Sequence, residues 1–236
     1  MLRYAISLLF MILCSFSHAQ QQQPQEALEV PQDSTYNIVT YGLRIGLDIA
    51  SPLRTALDDD YTGFQLLADY RLTDRWYVAG EIGTESIDRT SAAVDFETDG
   101  SFIKAGADFN LYRNWVNMDN MIYAGFRTGF STFSQQLDRF DINQDNNYFP
   151  IDSIEAQQEF NNLTAFWIEL QVGVKVELID NLYMVANVQL KRLVNEDQPD
   201  GFDNLFVPGF GRTFDTNEIG VGYTYGIQYR IPFFKK

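Results

Sequence analysis

The sequence predicts an all-β protein, an eight-stranded antiparallel up-and-down transmembrane β-barrel with a packed polar lumen. Three observations carry this. From about residue 37 to the end, apolar residues alternate with polar or small ones at period 2. One face of that alternation is almost free of charge, while the other gathers glycine and ionisable side chains. Short and long connections alternate along the chain, as they do on the two rims of an outer-membrane barrel.

The N-terminus follows a different pattern. Arg3 precedes an apolar run from Ala5 to Phe16, closed by the small residues Ser17 and Ala19, which is the layout of a secretory signal peptide over residues 1–19. The run is shorter than the roughly 20 apolar residues a membrane-crossing helix needs, and no later stretch supplies them. Cys14 raises lipidation as a rival, but Leu13 stands before it where a lipoprotein signal wants a small side chain. Cleavage would discard Cys14 and His18, the single cysteine and the single histidine. Disulfides, thiolate metal sites and imidazole catalysis would go with them. Residues 20–36, rich in Gln and Pro and without period, read as a flexible periplasmic tail, which leaves 37–236 for the barrel.

The last strand is the clearest. Ile219, Val221, Tyr223, Tyr225, Ile227, Tyr229, Ile231 and Phe233 share one face, and Gly220, Gly222, Thr224, Gly226, Gln228 and Arg230 the other. In chain order the same split places the first strand at about 38–52, where Tyr41, Leu43, Ile45, Leu47 and Ile49 oppose Gly42, Arg44, Gly46 and Asp48. Further strands fall at about 61–72, 76–87, 101–112, 121–136, 163–178 and 182–194. Short turns are expected at 73–75, 113–120 and 179–181, and long polar loops at 53–60, 88–100, 137–162 and 195–218. Both chain ends then fall on the periplasmic side.

A soluble lipocalin-like barrel would give the same alternation with the apolar face inward, so the orientation has to be decided. Gly42, Gly46, Gly83, Gly106, Gly125, Gly129 and Gly173 lie on the polar face with the glycines of the last strand. A solvent-facing strand gains nothing from losing side chains there, whereas a crowded lumen does. The same face carries Arg44, Arg71, Lys104, Arg127, Lys175, Lys191 and Arg230 against Asp48, Asp69, Glu81, Glu85, Asp108, Glu169 and Glu177, equal numbers that can pair inside a closed interior. The opposite face bears aromatic residues near the strand ends, Tyr41, Tyr70, Trp76, Tyr229 and Phe233 on one side and Phe64, Phe130, Phe166 and Tyr223 on the other, as interfacial girdles would.

The stretches Tyr41-Gly42-Leu43-Arg44, Asp58-Asp59-Asp60-Tyr61-Thr62-Gly63-Phe64, Asn114-Trp115 with Asn120-Met121-Ile122-Tyr123, and Phe202-Asp203-Asn204-Leu205 with Pro208-Gly209-Phe210 carry a resemblance. The chain resembles a family of small Bacteroidota-type outer-membrane barrels catalogued as a domain of unknown function. The resemblance spans nearly all of residues 37–236 and implies the fold and an outer-membrane location. It implies no activity, cofactor or catalytic residue.

The four long loops together account for the whole formal net charge of -15. Nucleic acid is excluded as a partner, because polyanion binding needs clustered basic residues. The expected partners are outer-membrane lipids and lipopolysaccharide, with divalent cations gathered at the acidic loops. Asp141, Asn143, Asp145 and Asp152 match part of a calcium-loop spacing, but Asn146 stands where the turn glycine belongs and Asp152 where a bidentate Glu belongs, so no metal site is assigned. Carboxylates four or eight residues apart on one strand face, Glu81 with Glu85 and Glu169 with Glu177, could serve acid–base chemistry but are more simply ion-pair partners. The apolar segment from Phe202 to Phe210 in the fourth loop reads either as a lid folded over the barrel mouth onto Tyr148 and Phe149, or as an exposed contact surface. The leading expectation is a non-enzymatic barrel, without cofactor, that serves envelope integrity or surface interaction through its acidic loops. Its rivals are a narrow pore or lateral conduit for small solutes, and a lipid-modifying enzyme at the rim.

Overall fold

The computed structural model describes residues 40–91, 94–112, 119–141, 153–199, 202–213 and 218–235. The expected leader and tail, residues 1–36, lie outside them. In chain order the elements are β1 (Thr40–Asp48), α1 (Ala50–Leu57), β2 (Tyr61–Arg71), β3 (Trp76–Thr90), β4 (Val94–Tyr112) and β5 (Met121–Asp141). They continue with β6 (Ser153–Ile179), β7 (Leu182–Glu196), a two-stranded hairpin of β8 (Phe206–Val207) and β9 (Gly211–Arg212), and β10 (Ile219–Lys235). Eight of the strands form a closed antiparallel barrel in the order β1-β10-β7-β6-β5-β4-β3-β2, so each is paired with its chain neighbour in the wall and β10 closes onto β1. No helix among the described residues is long and apolar enough to cross a membrane, so any crossing falls to the strands.

The alternation in the sequence maps onto the two sides of the wall. On β10 the outward row from Ile219 to Phe233 is exposed throughout, and Thr224, Gln228 and Arg230 of the inward row are buried. Outward ionised side chains begin only near the outer rim, at Arg192, Asp99, Glu97 and Asp138. Below that level the outer surface is an uncharged band, matched to hydrocarbon contact. Aromatic residues mark its lower edge, where Tyr41 stacks on Phe234 at 4.9 Å, Tyr70 lies 6.2 Å from Phe233, and Trp76 packs on Phe109 at 4.9 Å.

Several boundaries differ from the sequence expectation. The first strand was expected to reach residue 52, but it stops at Asp48, and α1 replaces both its end and the expected loop. The cause is local: the Asp48 carboxylate accepts the backbone N–H groups of Ala50 (3.2 Å) and Ser51 (2.9 Å), Pro52 sits in the first turn where its missing donor costs nothing, and Arg54 pairs with Asp58 one turn on at 3.5 Å. The second and third outer loops are shorter than expected, because β3 runs to Thr90 and β4, β5 and β6 continue well above the uncharged band. Above it the outward row becomes polar while the inward row, Phe96, Thr98, Gln135 and Leu137, stays buried. This polar outward row is why the sequence reads as loop although the ladder persists. The raised ribbon ends in an edge: β7 pairs with β6 only from Ala165, so among the described residues Ser153–Leu163 is bonded to β5 alone. That edge carries two bulges, with Gln157 and Asn162 at positive φ (42° and 60°).

Candidate functional site: the charged lumen and its mouth

An eight-stranded barrel is just wide enough for side chains to fill its interior. Here β1, β2, β3, β4, β5, β6 and β7 each contribute charge to a single alternating chain of contacts. Arg44 reaches Asp69 at 2.6 Å; Asp69 and Asp108 share Lys175 at 2.7 and 3.2 Å; Asp108 meets Arg127 at 2.7 Å. Arg127 lies 3.5 Å from Glu81, which faces Lys104 at the same distance; Lys104 meets Glu169 at 3.1 Å, and Glu169 lies 3.8 Å from Lys191. All nine side chains are buried. Neutral donors complete the carboxylates: Trp167 Nε1 donates to Glu169 at 2.7 Å and Gln65 Nε2 to Glu81 at 2.8 Å. The cavity left among Asp69, Glu81, Arg127 and Lys175 is about 20 Å³, room for roughly one water molecule.

A second cluster closes the lower rim. Arg71 pairs with Asp119 at 3.0 Å, Asp119 also pairs with Arg230, and Arg230 lies 3.3 Å from Glu177. Arg230 further donates from Nε to the Asn181 side chain at 3.0 Å, tying β10 to the turn between β6 and β7. Tyr77 and Tyr183 separate the two charged groups, and the Arg44 guanidinium lies 4.6 and 5.2 Å from their rings.

The upper lumen is apolar and is closed from above by the hairpin of β8 and β9. Val207 and Phe210 are buried with Phe102, Phe133, Leu163, Ala165, Trp167 and Leu193. Phe206 packs on Ile87 and Phe96. Polar bonds hold the backbone of this segment: the Gly209 N–H donates to Glu85 at 2.7 Å, the Leu205 N–H to Gln135 at 3.0 Å, and Lys191 Nζ donates to the Gly209 carbonyl at 2.7 Å. Gly209 (φ +80°) adopts a conformation that favours glycine, and a Cβ there would meet the Phe102 ring at 2.5 Å.

Of the residues expected in a lumen ion-pair network, Arg44, Asp69, Glu81, Lys104, Asp108, Arg127, Glu169, Lys175 and Lys191 are brought together in the upper chain, and Arg71 and Arg230 lie in the lower cluster. Asp48 departs from that expectation. It points inward, but its oxygens accept from the foot of α1 and from the Tyr225 N–H (3.1 Å), and it has no ion pair within 4 Å among the described residues. It ends a strand and starts a helix, so unbonded backbone donors stand closer to it than any cation. Asp119 was missed because it sits in a connection, outside any alternation. Tyr77, Tyr123 and Tyr183 share the inward parity of their strands, a signal the charges overshadowed. Of the calcium-spacing residues, Asp141 ends β5 beside Arg139 (3.6 Å), while Asn143, Asp145 and Asp152 lie outside the described residues, as do Tyr148 and Phe149. Among the described residues, the hairpin packs on Phe102, Phe133, Trp167 and Leu193 of the strands.

Residues 1–236 match a single family throughout. The chain belongs to the family Domain of unknown function (DUF6048). No curated protein matches this family member. Solved structures similar to it include the attachment invasion locus protein Ail of Yersinia pestis, at 12% identity over 81% of this chain and 97% of that one, with a TM-score of 0.39. Neisserial surface protein A is similar at 10% identity, over 81% and 96%, with a TM-score of 0.40. A major outer membrane protein from Thermus thermophilus is similar at 15% identity, over 81% and 98%, with a TM-score of 0.42.

The tight fit of the lumen gives a first test. A Cβ at Gly129 would lie 2.2 Å from the Trp167 ring, inside the apolar layer beneath the hairpin. Gly129→Leu is expected to destabilise the barrel by about 1–3 kcal/mol through overpacking, measured as a lower urea midpoint for loss of the compact band on unheated gels.

Proposed function

We propose that this family member is a non-enzymatic outer-membrane barrel whose work is done outside its lumen, in envelope integrity or surface interaction through the acidic outer rim. The observation that carries the reading is the continuous closure of the interior: a nine-member chain of buried charges below, and an inserted hairpin above. A lumen filled in this way offers solutes no path, and the four carboxylates of the chain are engaged by cations and by Trp167 and Gln65. The uncharged band supports contact with lipid tails. The acidic rim and the raised ribbon of β4, β5 and β6 would stand among lipopolysaccharide and the divalent cations that bridge its phosphates.

Planar-bilayer recording on the refolded full chain tests the closure. The expected trace has no steady conductance at any holding potential. A sustained ohmic current, unchanged when Arg127 is replaced by Ala, would refute a lumen sealed by these pairs.

A further inference from the structure

Among the described residues, the barrel wall is incomplete on its outer side. β1 is short: its ladder with β10 ends at Asp48↔Gly226 and its ladder with β2 at Leu47↔Leu66. Above that level the wall between β10 and β2 is made by α1 in place of a strand. α1 is fastened to β2, where the Gly63 N–H donates to Thr55 Oγ1 at 3.0 Å and the Arg54 guanidinium lies 3.7 Å over the Tyr61 ring. Its hold on β10 is at its foot, where Ile49 N–H and Asp48 Oδ1 meet the Tyr225 backbone at 2.7 and 3.1 Å. Higher up, a cavity of about 170 Å³ separates α1 from β10. It runs from the lumen side chains Lys104, Gln189 and Lys191 to the outward-facing Val221 and Tyr223.

The chemistry of this window is lopsided. Its carboxylates are already occupied by neutral donors: Asp48 by three backbone N–H groups, and Glu85 by the Tyr61 hydroxyl and the Gly209 N–H, both at 2.7 Å. Its cations are less well served. Lys191 donates to two backbone carbonyls, and the carboxylate it faces, Glu169, is 3.8 Å away and closer to Lys104. Arg54, at the lip, pairs only loosely with Asp58 at 3.5 Å. Beyond the lip the surface is apolar, with Val221 80% exposed and Leu53 of α1 also facing out. The third N–H of Lys191, whose nearest carboxylate is 3.8 Å away, and hydrocarbon outside suit an anion carried on an acyl chain. The volume, room for roughly six water molecules, fits one head group.

We infer that the window between α1 and β10 binds a single-chain anionic lipid from the outer leaflet, its head at Lys191 and its chain along Val221 and Tyr223. This rests on the membrane placement proposed above. The test uses the full chain folded into phosphatidylcholine vesicles that contain a trace of palmitate bearing a diazirine on its chain, irradiated and mapped by peptide. Adducts are expected to concentrate on α1 and on Val221 and Tyr223, and excess unlabelled palmitate should reduce them about tenfold, hexadecanol far less. Gly222→Phe fills the cavity against only the movable ends of Lys191 and Gln189, which a Cβ would meet at 2.8 and 2.9 Å. It should remove the concentrated adducts while the unheated gel band keeps its position. Lys191→Met should erase the preference for palmitate over hexadecanol. Adducts spread evenly around the outward stripe, or a Gly222→Phe pattern like wild type, would overturn the site. Phosphatidylglycerol competing as well as palmitate would overturn the single-chain assignment. Absence of adducts even at Phe126 and Phe130 of β5, on the opposite wall, would instead indict the membrane placement.

Discussion

Replacing Asp108 by Leu should cost the barrel about 3–5 kcal/mol of stability, the range for removing one partner of a buried ion pair. Asp108 is fully buried and sits at the centre of the chain, 2.7 Å from Arg127 and 3.2 Å from Lys175. Without it, Arg127 keeps only Glu81 at 3.5 Å and Lys175 only Asp69, so a chain of five cations and four carboxylates is left with one further positive charge uncompensated. The cost comes from that stranded charge more than from the lost bond. Asp108→Leu combined with Arg127→Leu should therefore recover most of the stability, since replacing both partners by apolar groups is often neutral. Urea unfolding in vesicles, followed by gel mobility without heating, measures both. A single variant that unfolds at the wild-type midpoint would show that the lumen is wetter than its burial implies.

The second large effect is on permeability and needs two changes at once. Phe210→Asp puts a carboxylate among Phe102, Trp167 and Leu193, where an unpaired charge costs several kcal/mol, so the hairpin should leave the mouth. Conductance should stay near zero, because the charged chain beneath still closes the lumen. Arg127→Ala alone should also pass little current, since the hairpin still caps the barrel. The double variant should show stable, stepwise conductance in planar bilayers. If Phe210→Asp by itself conducts as strongly as the double variant, the charges are not a barrier and the hairpin is the whole seal.

Much of this architecture was legible in the residues. The rows Ile219 to Phe233 and Gly220 to Arg230 fix which side of β10 faces inward, because strand geometry permits only two sides. The inward positions of Arg44, Asp69, Lys104 and Glu169 follow from the same parity. What parity cannot reveal is anything off the strands. Asp119 joins the lower cluster from a connection, and α1 depends on a bond between Asp48 and backbone donors two and three residues on. Pairing order within the lumen was equally hidden, since Lys175 and Asp69 are 106 residues apart and meet only once the barrel closes. The outer reaches of β4, β5 and β6 read as loop because their outward row turns polar where hydrocarbon ends, a change of surroundings and not of backbone.

The bulged edge of β6 bears on how two copies of this barrel would meet. A flat, open strand of such length would invite the matching strand of a neighbouring copy and start a filament across the cell surface. Gln157 and Asn162 bend the ladder at two points, and Glu155 and Glu159 add like charges that two such edges would bring face to face. Pairing of this edge with its counterpart on a second copy is thus disfavoured.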